Sequence, residues 1–101
     1  MSPLSALAFD RSALASVCDR YGVVRLAVFG SFLHGDVGPE SDLDLLVEFR
    51  PGSVPGFGFI RLQNELSSVF RHPVDLVTAG FLSPHFRGRV LVEASPLYEA
   101  A

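Results

Sequence analysis

The hydrophobic positions of the chain change period several times, and each change marks an element. Leu14, Val17, Cys18 and Tyr21 recur at helical spacing between Asp10, a residue type that caps helix starts, and Gly22, one that ends them. Val24 to Phe29 is a β-branched and aromatic run of strand length, closed by Gly30. Leu43 to Arg50 is nearly continuously apolar after its acids, the pattern of a strand covered on both faces. Within Phe59 to Arg71, Leu62, Leu66, Val69 and Phe70 fall at i, i+4, i+7 and i+8, which predicts a second helix. His72 to Thr78 reads as a third, short strand. Ser83 followed by Pro84 starts a last helix that runs to about Ala94, although Gly88 costs it roughly 1 kcal/mol against alanine. Pro96 ends that helix and leaves Leu97 and Tyr98 as an edge strand or a tail.

The order helix, strand, strand, helix, strand, helix predicts an α/β (α+β) fold, a small mixed β-sheet flanked by helices. Pro51 to Gly58 has loop composition; its Gly56-Phe57-Gly58 lacks the third glycine of a dinucleotide-binding turn and reads as a plain connection. No internal repeat or low-complexity tract interrupts the pattern. At 101 residues the chain is one domain, 1–101, with a single core and no room for a second lobe.

Composition narrows the function. Hydrophobic residues at 49% and charged ones at 19% describe a folded globular protein. The net charge of −3 argues against direct nucleic-acid binding, which needs a basic face. All the cationic side chains are arginines, and a chain without lysine has no Walker-type phosphate loop. Met1 to Phe9 lacks the basic start of a signal peptide, and no run approaches the ~18 apolar residues of a membrane span, so a cytoplasmic location and no membrane partner are expected. Cys18 is the only cysteine and falls on the apolar side of its helix, as a small buried hydrophobe would. Phe57 and Phe59 make an apolar loop that suits a homodimer or partner interface.

The candidate chemistry lies between the first two strands. A strand that ends in Gly30-Ser31 before a tight turn points backbone N–H groups and a hydroxyl outward, which suits a phosphate. Asp42 and Asp44 are two apart, so both side chains leave one face of a strand, roughly 6.6 Å apart along it. Leu43, Leu45 and Val47 point the other way, into the core. Asp75 sits mid-strand between Val74 and Leu76, and a strand paired beside the second one would bring it near the other two acids. Any one of these residues alone would read as an edge or arginine-paired acid. Together they repel, by roughly 3 kcal/mol per pair at about 5 Å and an effective dielectric near 20. One carboxyl is then expected to take up a proton, unless a cation sits among them. Oxygen ligands shared with substrate phosphates are the usual setting of Mg²⁺, and two such ions serve an in-line displacement at phosphorus.

These residues resemble a known family. Gly30-Ser31, ten intervening residues and Asp42-Leu43-Asp44 are similar to the Gly-Ser-x10-Asp-x-Asp signature of the minimal nucleotidyltransferases, in the polymerase-β-like nucleotidyltransferase superfamily. Asp75, in Val-Asp-Leu-Val after a helix, matches the position of the family's third acid, and the similarity covers nearly the whole chain. The resemblance implies the polymerase-β-like nucleotidyltransferase core and assigns roles. Gly30 and Ser31 would hold the β- and γ-phosphates of a nucleoside triphosphate. Asp42 and Asp44 would ligate both Mg²⁺ ions, and Asp75 would complete the metal site that the acceptor hydroxyl approaches. The reaction would be transfer of a nucleoside monophosphate, most often AMP from ATP, to a hydroxyl. Members of this type commonly act as the antitoxin partner of a HEPN-domain toxin, and some resemble enzymes that adenylylate a tyrosine on that toxin. The alternatives are an antitoxin that neutralises by contact alone, and a small-molecule (antibiotic) nucleotidyltransferase, which would need a further substrate-binding domain.

His34 departs from the family pattern, in which many relatives carry an arginine that contacts a phosphate at any pH. His34 and Ser41 complete the expected nucleotide-binding set, with Ser41 bracing the acid loop. Glu48 shares the parity of Asp42 and Asp44 but lies further from the glycine turn, so a solvated or salt-bridged role is expected. Arg87 and Arg89 read as a solvated helix face, and His72 and His85 have no metal-ligand spacing.

Overall fold

A computed structural model describes residues 9–30, 42–53, 56–78 and 93–100, together with His85 and Gly88. Helix α1 spans Arg11–Tyr21, and strand β1, Val23–Phe29, follows it directly. Strand β2 is Leu43–Phe49, helix α2 is Gly58–Phe70, and strands β3 and β4 are Val74–Val77 and Ser95–Glu99. The sheet order is β3-β2-β1-β4. β1 runs antiparallel to both of its neighbours, whereas β3 lies parallel to β2. The sheet is therefore mixed, and α2 supplies the crossover that a parallel pair requires.

Local chemistry sets the boundaries. The Asp10 carboxylate accepts from the backbone N–H groups of Ser12 and Ala13 at 2.9 and 3.2 Å, so the first turn of α1 is capped. Gly22 ends α1 in the left-handed region at φ 71°, where a Cβ would fall 2.6 Å from that of Ser53. Only glycine fits that turn, and the carbonyl of Gly22 in turn accepts from the Arg50 N–H at 2.8 Å.

One face of the sheet and both helices form the core. Leu26, Val28, Leu43, Leu45 and Val47 pack there against Leu14, Val17 and Cys18 of α1 and Leu62, Leu66 and Phe70 of α2. The alternation expected for β2 holds: Leu43, Leu45 and Val47 enter this core, and Asp44, Leu46 and Glu48 take the opposite face. Cys18 is fully buried, and burial pushes its thiol up to about 12. Val69 and Phe59 are only partly buried against the core, so of the expected loop aromatics Phe57 alone is exposed.

Of the two alternatives expected for Leu97 and Tyr98, an edge strand or a tail, the edge strand holds, and it is longer than expected because it takes in Ser95 and Pro96. Ser95–Glu99 is a full strand on the outer side of β1, with Leu26 opposite Tyr98 and Ala27 opposite Pro96. Pro96 does not merely terminate a helix; it sits in an edge strand, where a missing N–H is tolerated. Most of the expected last helix lies outside the described residues, within which His85, Gly88 and Glu93 are helical. The third strand is shorter than expected. Arg71, at φ 57°, closes α2, and the strand starts only after Pro73.

Candidate active site

β1, β2 and β3 bring their functional ends together. β1 finishes at Phe29, directly opposite Asp44 near the start of β2. Asp44 is in turn the register partner of Asp75 on β3. Neighbouring strands are about 4.8 Å apart, so the two carboxylates leave the same face side by side. Asp42 stands just before β2 and is exposed, as is Asp75, while Asp44 between them is half-buried. The ladder is anchored at this end by the Leu43 N–H donating to the Pro73 carbonyl at 2.7 Å.

Gly30 completes the described part of the site. It follows β1 at φ 77°, and a Cβ there would fall 2.5 Å from Oδ2 of Asp44. The missing side chain thus leaves the space that the Asp44 carboxylate fills. The sequence reading treated Gly30 only as a turn residue beside a phosphate; the cross-strand register of Phe29 with Asp44 is the signal that gives it this second duty. Ser31, His34 and Ser41 lie outside the described residues.

The electrostatics differ in emphasis from expectation. The Asp44 carboxyl is held above its ordinary range, first by burial, then by the charge of Asp75, and last by that of Asp42. Burial leads because Asp42 and Asp75 are exposed, and water and salt screen their repulsion. Among the described residues, no three His, Cys, Asp or Glu side chains are gathered as a ready-made metal cluster. The donor set nevertheless fits a hard cation: the acids offer only carboxylate oxygens, and Asp44 is a partly desolvated anion beside a second one, which a cation would stabilise. Glu48 continues the acid-bearing face toward the far end of β2, as its parity requires.

A mixed sheet with an acid pair at the shared end of β2 and β3 and a glycine recess at the end of β1 can serve phosphoryl chemistry. The chain belongs to the nucleotidyltransferase domain family, whose profile matches residues 11–98. It is an enzyme of nucleotidyl transfer. A solved structure assigned as a minimal nucleotidyltransferase is similar at 42% identity and TM-score 0.72, over 86% of this chain and 88% of its own. The protein adenylyltransferase MntA of Thermococcus cleftensis is 36% identical over 76 residues, 74% of this chain and 75% of its own length. A crystal structure of a toxin–antitoxin with AMP-PNP shares the fold at TM-score 0.69 and 19% identity, over 90% of this chain and 74% of its own.

Proposed function

We propose that this protein is a single-domain, Mg²⁺-dependent adenylyltransferase that moves AMP from ATP to a hydroxyl of a partner protein, as the antitoxin of a toxin–antitoxin pair. The observation that carries the reading is the Asp44–Asp75 pairing, with the Gly30 recess beside it. The protein acceptor is supported by the similarity to a named protein adenylyltransferase, and the nucleotide and toxin partner by the fold shared with a toxin–antitoxin that holds AMP-PNP. A HEPN-domain toxin with a tyrosine acceptor is the form this partner takes in the resemblance drawn from the sequence.

In this reading Gly30 and Ser31 hold the β- and γ-phosphates, and His34 and Ser41 line the nucleotide's approach. Asp42, Asp44 and Asp75 would hold Mg²⁺, with substrate oxygens completing its shell. Bound there, the ions supply charge compensation for the triphosphate and for the attacking oxygen. Asp75, exposed at the edge of the site, receives the acceptor's proton. The acceptor oxygen bonds to the α-phosphorus as the bond to the bridging oxygen breaks, and pyrophosphate leaves with that electron pair.

The test is incubation of the protein with ATP labelled on the α-phosphate, Mg²⁺ and the purified product of the adjacent gene. Label on the partner with wild type and none with Asp44→Ala is the expected result, and chelation of the divalent cation with EDTA also abolishes it. If the partner is silenced mole for mole while no label moves, inhibition by contact replaces the catalytic reading.

A further inference from the structure

The far half of β2 and the first turn of α2 enclose a groove of about 660 Å³ that takes no part in the site described above. Its described lining is Val47, Glu48, Phe49, Gly56, Phe59, Ile60 and Thr78. Of the exposed large hydrophobics of the described residues, Ile60, at 62% exposure, lines the groove, and Phe57, at 99%, follows the lining residue Gly56 in the chain. An exposed aromatic and a branched aliphatic beside an apolar groove are an anchor point for another molecule.

The groove is not purely apolar. Glu48 is half-buried in its wall and directly opposite Arg25 across the strands, yet Arg25 turns toward Glu99, at 3.9 Å. Among the described residues Glu48 has no hydrogen bond or ion pair. A half-buried carboxylate with no partner among the described residues suits an occupant that brings a cation or a strong donor. Glu48 leaves β2 on the face opposite Val47 and Phe49, the face that carries Asp44, four residues along the strand, or roughly 13 Å at strand rise. One protein surface of ordinary interface size, about 800 Å², spans both places, and a small acceptor molecule does not.

The sheet edges are less suited to a partner. The β3 edge is covered by α2, whose Gln63 Oε1 and Ser67 Oγ accept from the N–H groups of Leu76 and Val74, each at 3.0 Å. The β4 edge carries Pro96, which blunts strand addition.

We propose that this groove is the docking site of the acceptor protein, taking an apolar side chain against Phe49, Phe59 and Ile60 and a neighbouring lysine or arginine against Glu48. The proposal rests on the protein-acceptor reading above and names the surface that recognises that acceptor.

The experiment separates docking from transfer. The purified product of the adjacent gene is titrated calorimetrically, without ATP, into wild type, Ile60→Asp and Glu48→Gln, and labelling is measured in parallel. Thermal melts establish that both variants fold, as the exposure of Ile60 and the lack of a partner for Glu48 among the described residues lead one to expect. Affinity is expected to fall at least tenfold for Ile60→Asp and severalfold for Glu48→Gln, with labelling recovered as the acceptor is raised. Equal affinities for an acceptor that wild type labels overturn the docking proposal and leave the transfer reading intact. The expected losses without any labelling overturn the transfer reading and support the groove. Concentration-dependent dimerisation of wild type that Ile60→Asp abolishes assigns the groove to a second copy of this chain and overturns the proposal.

Discussion

Gly30 and Asp44 occupy one another's space: a Cβ on the first would lie 2.5 Å from Oδ2 of the second. The backbone of Gly30, at φ 77°, is in a region that costs other residues roughly 1–2 kcal/mol. Gly30→Ala therefore carries both a conformational cost and a displaced carboxylate. The expected loss is about 1–3 kcal/mol in urea denaturation, together with at least a tenfold fall in label transfer. A variant that loses stability but keeps full transfer would show that the recess does not position Asp44 for chemistry.

Asp44 is expected to trade stability for function. Its folded carboxyl is raised above the ordinary range, by burial first and by Asp75 and Asp42 next. The folded state thus holds a proton that the unfolded state, near pKa 3.9, has already released. Stability falls as pH rises through that window, and the unfavourable contribution is complete above the folded value. Asp44→Asn removes it. Without divalent cation, the variant's urea midpoint is expected above that of wild type at pH 7, with the difference closing below pH ~4. Label transfer is lost at every pH. A midpoint lower than wild type at pH 7 would mean that Asp44 is stabilised by contacts that outweigh its burial.

Tyr21 and Glu65 tie α1 to α2 through a hydrogen bond from the phenol to the carboxylate, and Arg20 adds an ion pair to the same carboxylate at 2.8 Å. The phenol's pKa is raised, chiefly by that bond, and the carboxyl's is lowered, chiefly by the same bond. A raised phenol gives stability that is present below its unfolded value of about 10 and is lost as pH rises through the folded one. A lowered carboxyl gives stability present above about 4.3 and lost as pH falls. Tyr21→Phe is expected to be less stable than wild type between these limits, with the gap narrowing at both extremes. Thermal melts across pH 3 to 11 read this directly.

Much of the fold is legible because the periodicities are clean. Leu62, Leu66 and Phe70 mark the buried stripe of α2, and Leu43, Leu45 and Val47 give the inward face of β2. The nearness of Asp75 to Asp44 follows once β3 is placed beside β2, since like parity puts both on one face. Three features were harder to read. The choice between strand and tail after Pro96, and the extension of the strand back to Ser95, depend on a long-range partner, β1. Burial of Asp44 reflects how three strands and Gly30 converge, which no local pattern encodes. The third is the use of Gln63 and Ser67, which read as ordinary polar positions on an amphipathic helix.

Those two residues carry the last prediction. Val74 and Leu76 turn their N–H groups away from β2, at an edge that would otherwise be open to another strand. Ser67 accepts from Val74 while donating its own proton to the Gln63 carbonyl at 2.9 Å, so its hydroxyl is tied at both ends. Gln63→Leu together with Ser67→Ala keeps the helix and its packing but leaves both N–H groups without these acceptors. Each such loss costs about 1–3 kcal/mol where water cannot replace the bond. The double variant is expected to lose about 2–4 kcal/mol in urea denaturation and to aggregate on warming, as an uncovered edge does. Fast amide exchange at Val74 and Leu76 in the variant, against slow exchange in wild type, would locate the effect at this edge. Unchanged exchange there would mean that water already shares the work of covering β3.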